Sequence, residues 1–474
     1  MLYINGEWKQ SKSGSTSDIY NPATGELIGS VASGGGEETF EAIEAAKHAF
    51  ITWRRLPGPE RGKYLSKVAS IMREKQDEIA ETITLEMGKP LTDAKGEVIG
   101  AINYVEWYAE EAKRIYGDIL PASHPDKQLL VLKQPVGVTA AITPWNFPAS
   151  MITRKIAPAI AAGCTVVLKP APATPLSAMK IFECFDAAKL PKGVVNLVMG
   201  EAEEIGKVMT ESRDVRKLTF TGSTKVGKLL LKNSAETVKK VSMELGGHAP
   251  FIVFEDADVD VAVQGVLLTK FKNAGQTCIS TNRIYVHEAI AGNFGRKLAE
   301  KVAQLKVGNG MESGVDVGPL INSEAVEKVD SHVKDAMTKG GQVLCGGKRV
   351  NQHSNFFEAT VINFANDEMK IAKEETFGPV APIFTFQSEE EVVKKANHEN
   401  YGLAAYCFTN NLGRSYRLMQ DLDFGIVGMN DPAPIVAQAP FGGFKESGIG
   451  KEGGKSGILE YLEEKFVSVG SLTK

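Results

Sequence analysis

Cysteine is scarce in this 474-residue chain: five residues, at 164, 184, 278, 345 and 407, with no Cys-x-x-Cys pair. That spacing argues against a disulfide framework and a structural zinc site, and fits a reducing, cytoplasmic setting. No uninterrupted apolar run is long enough to span a bilayer, and the start of the chain lacks the basic-then-apolar pattern of a signal peptide. Charge of either sign is nearly balanced, at −4. Such a balance gives no basic footprint for nucleic acid and no polybasic membrane patch. There is no low-complexity segment and no repeat of 20–50 residues. What is present is a 43% apolar, 24% charged composition, the profile of a globular protein with a substantial core. At this length it predicts two or three domains.

Hydrophobic periodicity divides the chain. After a short opening hairpin, the spacing from about Gly34 to Tyr116 is helical, as in Ala42-Ile43-Ala46-Phe50. A strand run follows from Leu129 to Thr143, broken at Pro135-Val-Gly. Then strands alternate with helices: Cys164–Lys169, Val194–Val198 and Lys217–Thr221, followed by Ala249–Phe254, Arg283–Val286 and Val380–Phe386. This alternation predicts an α/β protein with parallel sheets covered on both faces. A boundary is expected near Gly246-Gly247. The end of the chain, Lys465–Val469, reads as an exposed strand, a liability unless another chain pairs with it.

Two features suggest a nucleotide. Gly222-Ser-Thr-Lys-Val-Gly227 joins a strand to a helix, whose N-terminal N–H groups and dipole suit a phosphate; a plain helix cap by Ser223 or Thr224 is equally compatible. Lys169 ends a strand, where ligands of open α/β sheets bind, although such lysines are commonly just solvated. Three others suggest covalent catalysis. Cys278, in Gly275-Gln-Thr-Cys278, is the one cysteine placed in a polar loop; the other four read as small hydrophobes. Glu244, between apolar neighbours, has the setting of a carboxylate with a raised pKa that serves as a base. Asn146, held between Pro144 and Pro148, offers an amide N–H to a developing oxyanion. A cysteine amidase or protease would need a histidine partner, and none of the seven His lies in a local triad-like motif.

In order along the chain, Pro144-Trp-Asn-Phe-Pro148, Val166-Val-Leu-Lys-Pro170, Phe220-Thr-Gly-Ser223, Met243-Glu-Leu-Gly-Gly247, Gly275-Gln-Thr-Cys278, Glu374-Glu-Thr-Phe-Gly-Pro-Val380 and Pro440-Phe-Gly-Gly-Phe-Lys-Glu-Ser-Gly448 resemble the aldehyde dehydrogenase superfamily. The resemblance runs from Asn21-Pro-Ala-Thr-Gly25 to Glu460-Tyr-Leu462. It implies a Rossmann-like cofactor domain (1–116 and 138–246), an α/β catalytic domain (247–455) and a small β element for oligomerisation (117–137 and 456–474), in a homodimer or homotetramer. It also implies roles. Cys278 is the nucleophile, Asn146 with the Cys278 N–H the oxyanion hole, and Glu244 the base. Lys169 holds the adenosine ribose, and Ser223, in its Gly222–Gly227 turn, the pyrophosphate. Trp145 packs in the cofactor cleft, Glu375 binds the nicotinamide ribose and Phe377 packs beside the ring. No metal is implied. CoA-acylating relatives lack the water-activating glutamate, so Glu244 favours hydrolysis to the free acid.

The stretch Met151-Ile-Thr-Arg154-Lys-Ile-Ala-Pro158 is similar to succinate-semialdehyde dehydrogenases, in which an Arg at this place binds the distal carboxylate of the substrate. Two departures stand out. A second Arg of those enzymes is Lys272 here, and a Ser shortly before Pro-Phe-Gly-Gly is replaced in Pro434-Ile-Val-Ala437. Another short anionic or hydroxylated aldehyde is therefore an alternative. Cys278 is followed by Ile279-Ser280, without the second cysteine that gives some relatives a redox switch. Where NAD-preferring relatives place a Glu three residues after the strand-end lysine, this chain has Pro172. The resemblance therefore implies that NADP is accepted alongside NAD, with Lys192 or Lys225 as possible additional phosphate partners.

Overall fold

The computed structural model describes residues 1–352, 354–397 and 400–471. Val138–Ile142, Thr165–Lys169, Val195–Leu197, Val215–Thr221 and Lys240–Glu244 are apolar runs separated by helices, and a strand buried on both faces needs that composition. They pair in parallel in the spatial order third, second, first, fourth, fifth. The opening hairpin Leu2–Ile4/Glu7–Lys9 closes one edge antiparallel. The register places Ile142 beside Lys169 and Thr221 beside Glu244, so these strands end level with one another.

Four helices, Gly36–Trp53, Gly58–Glu74, Gln76–Met87 and Leu91–Glu111, account for the helical periodicity of the first part. A second hairpin, Thr16–Tyr20 with Leu27–Ala32, precedes them and is not evident in the periodicity. Its outward side chains are mostly polar and its strands mostly exposed, so no buried alternation marks it.

The second sheet has seven strands, six of them parallel: Thr360–Asn363, Val380–Phe386, Thr281–His287, Ala249–Val253, Ala404–Phe408 and Ile426–Met429, with Gln342–Cys345 antiparallel at one edge. The chain passes between the two sheets over 245–248. It does not stay in the second. Gly448–Ile449 returns to pair antiparallel with Lys240–Glu244, and the helix Gly454–Leu459 packs against Leu91–Glu111 and the helix Pro148–Ala162. The last stretch of the expected 247–455 unit thus also contributes to the first layer, where it pairs along the edge at Met243 and Glu244.

The end strand, Leu462–Val469, is exposed over most of its length and runs antiparallel to Gln128–Pro135, which has Asp118–Leu120 on its other side. This three-stranded sheet still presents apolar side chains to solvent, Ile119 at 74% and Phe466 at 61% exposure. Among the described residues no helix is long and apolar enough to cross a membrane.

Candidate active site

In the first sheet the strand order reverses between Val138–Ile142 and Val215–Thr221, and an open α/β sheet binds ligands in the crevice outside the carboxyl ends of such a pair. Those ends lead into Thr143-Pro-Trp145-Asn146 and Gly222-Ser223. The ladder continues just past the sheet, with Thr143 N–H donating to the Lys169 carbonyl at 3.1 Å and Gly222 N–H to that of Glu244 at 3.1 Å. Lys169, Trp145, Asn146, Gly222, Ser223 and Glu244 thus share one rim. Ser223 caps the helix Thr224–Ser234 by accepting from Val226 N–H at 3.4 Å, so the cap reading of the sequence is present in the fold. A Cβ on Gly227 would lie 2.3 Å from Leu245, and glycine there lets the helix seat against the sheet. Lys169 is buried, not solvated, and donates to the Pro170 carbonyl at 3.2 Å. Burial pushes its pKa down to about 8, against the pull of Glu201.

Pro172 stands exposed on the turn after Lys169. Lys225 lies in the first turn of the Thr224–Ser234 helix, at the same rim. Lys192 does not. It precedes the strand Val195–Leu197, at the amino end of the sheet, and its amine pairs with Glu7 at 3.1 Å.

The second sheet meets this rim with its opposite end. Cys278 lies just ahead of Thr281–His287, and Glu375 and Phe377 just ahead of Val380–Phe386. The approach to Cys278 is distorted. A π-turn, Leu267–Phe271, gives way to Asn273 and Ala274 at φ 52° and 53°, and Phe377 has φ 54°. Non-glycine residues in that region cost on the order of 1–3 kcal/mol each and persist where their surroundings over-determine them. Gly275 shows what does so: its φ is 73°, and a Cβ would sit 2.2 Å from the Gly378 carbonyl, so the cysteine loop and the Phe377 segment touch through backbone.

Among the contacts that join the two halves, Asn146 Nδ2 donates to the Gln276 carbonyl at 3.0 Å and Trp145 meets Phe377 edge to face at 5.7 Å. On the crossing segment, Gly247 N–H donates to Glu375 Oε1 at 3.2 Å. Burial raises the Glu375 carboxyl to about 7.

Glu244 is 2% exposed, and neither carboxylate oxygen has a hydrogen-bond partner among the described residues. Burial, then the nearby Glu452 carboxylate, push it to about 8, while Arg154, Lys155 and the Cys278 thiol draw it down. Burial also holds the Cys278 thiol well above its ordinary range, with Glu244 adding to the effect and Arg154 opposing it. The other cysteines behave as hydrophobes. Cys164, Cys184 and Cys407 are buried in strand, helix or sheet-edge packing, and Cys345 ends an edge strand.

Cys278 opens onto a cavity of about 740 Å³, and Arg154, Lys272, Tyr104, Trp107 and Phe441 share its wall. Its floor is the helix Pro148–Ala162, which starts with proline at its first position, ends on Gly163 at φ 99° and buries every residue. Arg154, near the start of this helix, is only 5% exposed. Its guanidinium lies between the Phe441 and Tyr104 rings, 4.2 and 4.9 Å from their centroids. The nearest carboxylate oxygen, Glu452 Oε2, is 3.8 Å away, and the closer Lys155 pairs with the other oxygen of that carboxylate. Arg154 Nε and Nη1 are buried with no hydrogen-bond partner among the described residues. Lys272 differs: it is half exposed at the wall and 3.9 Å from Asp93. Ile435, Val436 and Ala437, from the departing Pro434 segment, add apolar surface.

Sequence reading missed several of these groups. Tyr104, Trp107 and Glu452 lie on segments whose apolar periodicity is satisfied without them. His332, on a distant helix, reaches Thr376 Oγ1 at 3.3 Å and Glu374 at 3.2 Å, gripping both neighbours of Glu375. No local signal marks it.

The model of the Aldehyde dehydrogenase family matches residues 8–467. The chain is 50% identical over 467 residues to the NADP(+) succinate-semialdehyde dehydrogenase of Escherichia coli K12, covering 98% of this chain and 97% of the relative. It is 51% identical over 467 residues to the glutarate-semialdehyde dehydrogenase of Pseudomonas putida, with the same coverage. The crystal structure of an E. coli NADP-dependent enzyme superposes with a TM-score of 0.98 at 50% identity, over 99% of this chain and 98% of that one. A buried loop cysteine facing a buried carboxylate, at the rim of a doubly wound sheet, is thus part of a match along nearly the whole sequence, and the chain belongs to the aldehyde dehydrogenase family.

Proposed function

We propose that this enzyme oxidises a short carboxylate-bearing semialdehyde, of the succinate or glutarate semialdehyde type, to the dicarboxylic acid, accepting NADP with a modest preference over NAD. The observation that carries the substrate reading is Arg154: a buried cation on the cavity wall that holds Cys278, with two nitrogens that have no hydrogen-bond partner among the described residues. Leaving buried donors unsatisfied is costly, and a carboxylate matches the guanidinium fork. Lys272 serves as a weaker, solvated attraction at the mouth.

In this reading the Cys278 thiol loses its proton and the sulfur bonds to the aldehyde carbon. Asn146 Nδ2 and the Cys278 N–H stabilise the oxygen that becomes negative. When bound, the nicotinamide dinucleotide accepts the hydride that leaves the same carbon. The residues fit such a group: Lys169 lies buried at the rim, the helix at Ser223 offers N–H groups, and Trp145, Phe377 and Glu375 converge beside them. The thioester left on Cys278 is hydrolysed by water that Glu244 deprotonates, which restores the thiol. Product formed without CoA separates this route from a CoA-acylating one. The cofactor domain corresponds to the first sheet and its helices, and the catalytic domain to the second. The apolar three-stranded sheet supports a homodimer or homotetramer, and five free thiols support a cytoplasmic enzyme.

Arg154→Ala is expected to raise KM for succinate semialdehyde about ten- to a hundredfold, the roughly 1.5–3 kcal/mol of a hydrogen bond to a charged group, and to spare butyraldehyde. Steady-state kinetics on both aldehydes decide it: equal losses would make Arg154 structural.

The cofactor reading rests on Pro172. A carboxylate at that turn would accept hydrogen bonds from the ribose hydroxyls of NAD and repel the 2′-phosphate of NADP. Proline does neither, and it leaves Lys169, still mostly charged at neutral pH with its pKa lowered by burial to about 8, free to pair with a phosphate. Lys225 stands at the same rim. Pro172→Glu is therefore expected to cut kcat/KM for NADP sharply and to spare or improve that for NAD. A wild type that strongly prefers NAD, unmoved by the substitution, would place the ribose pocket elsewhere.

A further inference from the structure

The Asn146 amide is useful only if it points at the right place, and the fold fixes it from its backbone side. The Asn146 carbonyl accepts two hydrogen bonds, from Lys89 Nζ at 2.7 Å and from Asn273 Nδ2 at 3.1 Å. Asn273 also donates to the Gln276 carbonyl at 3.1 Å, the same oxygen that receives Asn146 Nδ2 at 3.0 Å. One amide hydrogen of Asn146 is thereby committed, which orients the other.

Lys89 is fully buried and pairs at 2.6 Å with Glu97, also fully buried as a side chain. The other Glu97 oxygen accepts from Ala149 N–H at 2.8 Å and Ser150 N–H at 3.2 Å, the first turn of the helix that carries Arg154. The Lys89 amine also lies 3.8 Å from the Phe147 ring centroid. The pair therefore touches residues 146, 147, 149 and 150 in succession. Glu97 is part of the wall of the Cys278 cavity, but the hydrogen bonds of both side chains go to each other and to the backbone of residues 146, 149 and 150. A buried ion pair is a poor device for stability alone, because its desolvation cost offsets its attraction and an apolar pair of similar volume does as well. What it does supply is a fixed geometry.

We propose that Lys89 and Glu97 are positioning residues for the oxyanion hole, with Asn273 as the second anchor of the same carbonyl. The proposal rests on the reading of Asn146 as an oxyanion donor. It predicts that the pair acts through Asn146 and not on cofactor binding or on the thiol directly.

The test is a double-mutant cycle on the holoenzyme, read as the rate of the first-turnover burst of reduced cofactor with succinate semialdehyde, alongside the cofactor Kd and Tm. Asn146→Ala should slow the burst about 10²- to 10³-fold, the usual loss for one such donor. The charge-free double variant Lys89→Met/Glu97→Gln should slow it on the order of tenfold with the cofactor Kd unchanged. Combined with Asn146→Ala, it should add no more than about twofold, because the group it positions is gone. Losses that multiply in the combined variant, or an unchanged burst in the folded double variant, would overturn the positioning role alone. An unchanged burst in Asn146→Ala would overturn the oxyanion reading and this proposal with it. Should the double variant not fold, Asn273→Gly, which keeps the positive φ and removes the second donor, goes through the same cycle with the same expectations.

Discussion

Cys278→Ala is expected to remove aldehyde oxidation, a drop on the order of 10⁶ as for other covalent nucleophiles, while cofactor binding measured by fluorescence titration stays intact. The expectation comes from elimination as much as from position. Burial lifts the thiols of Cys164, Cys184 and Cys407, and none of them lines the cavity that holds Arg154. Cys278 is buried too, and burial and then Glu244 lift its thiol against the pull of Arg154, but it borders the cavity of about 740 Å³. Removing its sulfur takes away the atom that would carry the thioester and leaves the cofactor rim, some residues distant in the first sheet, as it was. Turnover above a percent or so of wild type would show that another group bonds to the substrate.

The second large effect concerns Glu244→Gln. A general base contributes typically about 10²- to 10⁴-fold, and here it acts on the water that cleaves the thioester. Rapid mixing should show a burst of reduced cofactor close to wild type, followed by turnover slowed by that factor. The pH profile provides an independent check. Burial first, and Glu452 second, raise the Glu244 carboxyl to about 8. A raised pKa keeps the carboxyl protonated below that value and idle as a base, so wild-type deacylation should rise with pH through about 8 and then level. In Glu244→Gln that rise should be lost. A burst that vanishes in a folded variant would instead place Glu244 at the thiol, taking its proton before the aldehyde is attacked.

Much of this was legible in the sequence. Parallel strands buried on both faces need unbroken apolar runs, and Val166-Val-Leu or Phe251-Ile-Val can satisfy nothing else at that length. The order of motifs placed Asn146, Lys169, Ser223, Glu244, Cys278 and Glu375 correctly relative to their strands, because each lies within a few residues of a strand end. The rule that ligands gather at carboxyl ends of strands holds for the first sheet. It would have missed the second, which contributes Cys278, Glu375 and Phe377 from its amino ends.

Where the chain turns back was not legible. Gly448–Ile449 completing the first sheet, and Leu462–Val469 pairing with Gln128–Pro135, depend on partners more than 200 residues away. Local periodicity carries no record of which edge a strand will find.

The sequence by itself determined the chemistry of this protein: one cysteine in a polar loop, a carboxylate among apolar neighbours, an asparagine braced by prolines and an α/β alternation, all set by short-range pattern and residue type. Only the tertiary structure decided how those groups are charged and aimed. It buried Arg154 between two aromatic rings beside the cysteine cavity and left two of its donors without a hydrogen-bond partner among the described residues. It enclosed Lys89 with Glu97 behind the Asn146 carbonyl. It pushed Glu244 to about 8 by taking it out of water. The reason is common to all three. Burial and electrostatic coupling arise from atoms brought close across hundreds of residues, and they follow from packing, not from any local run of the chain.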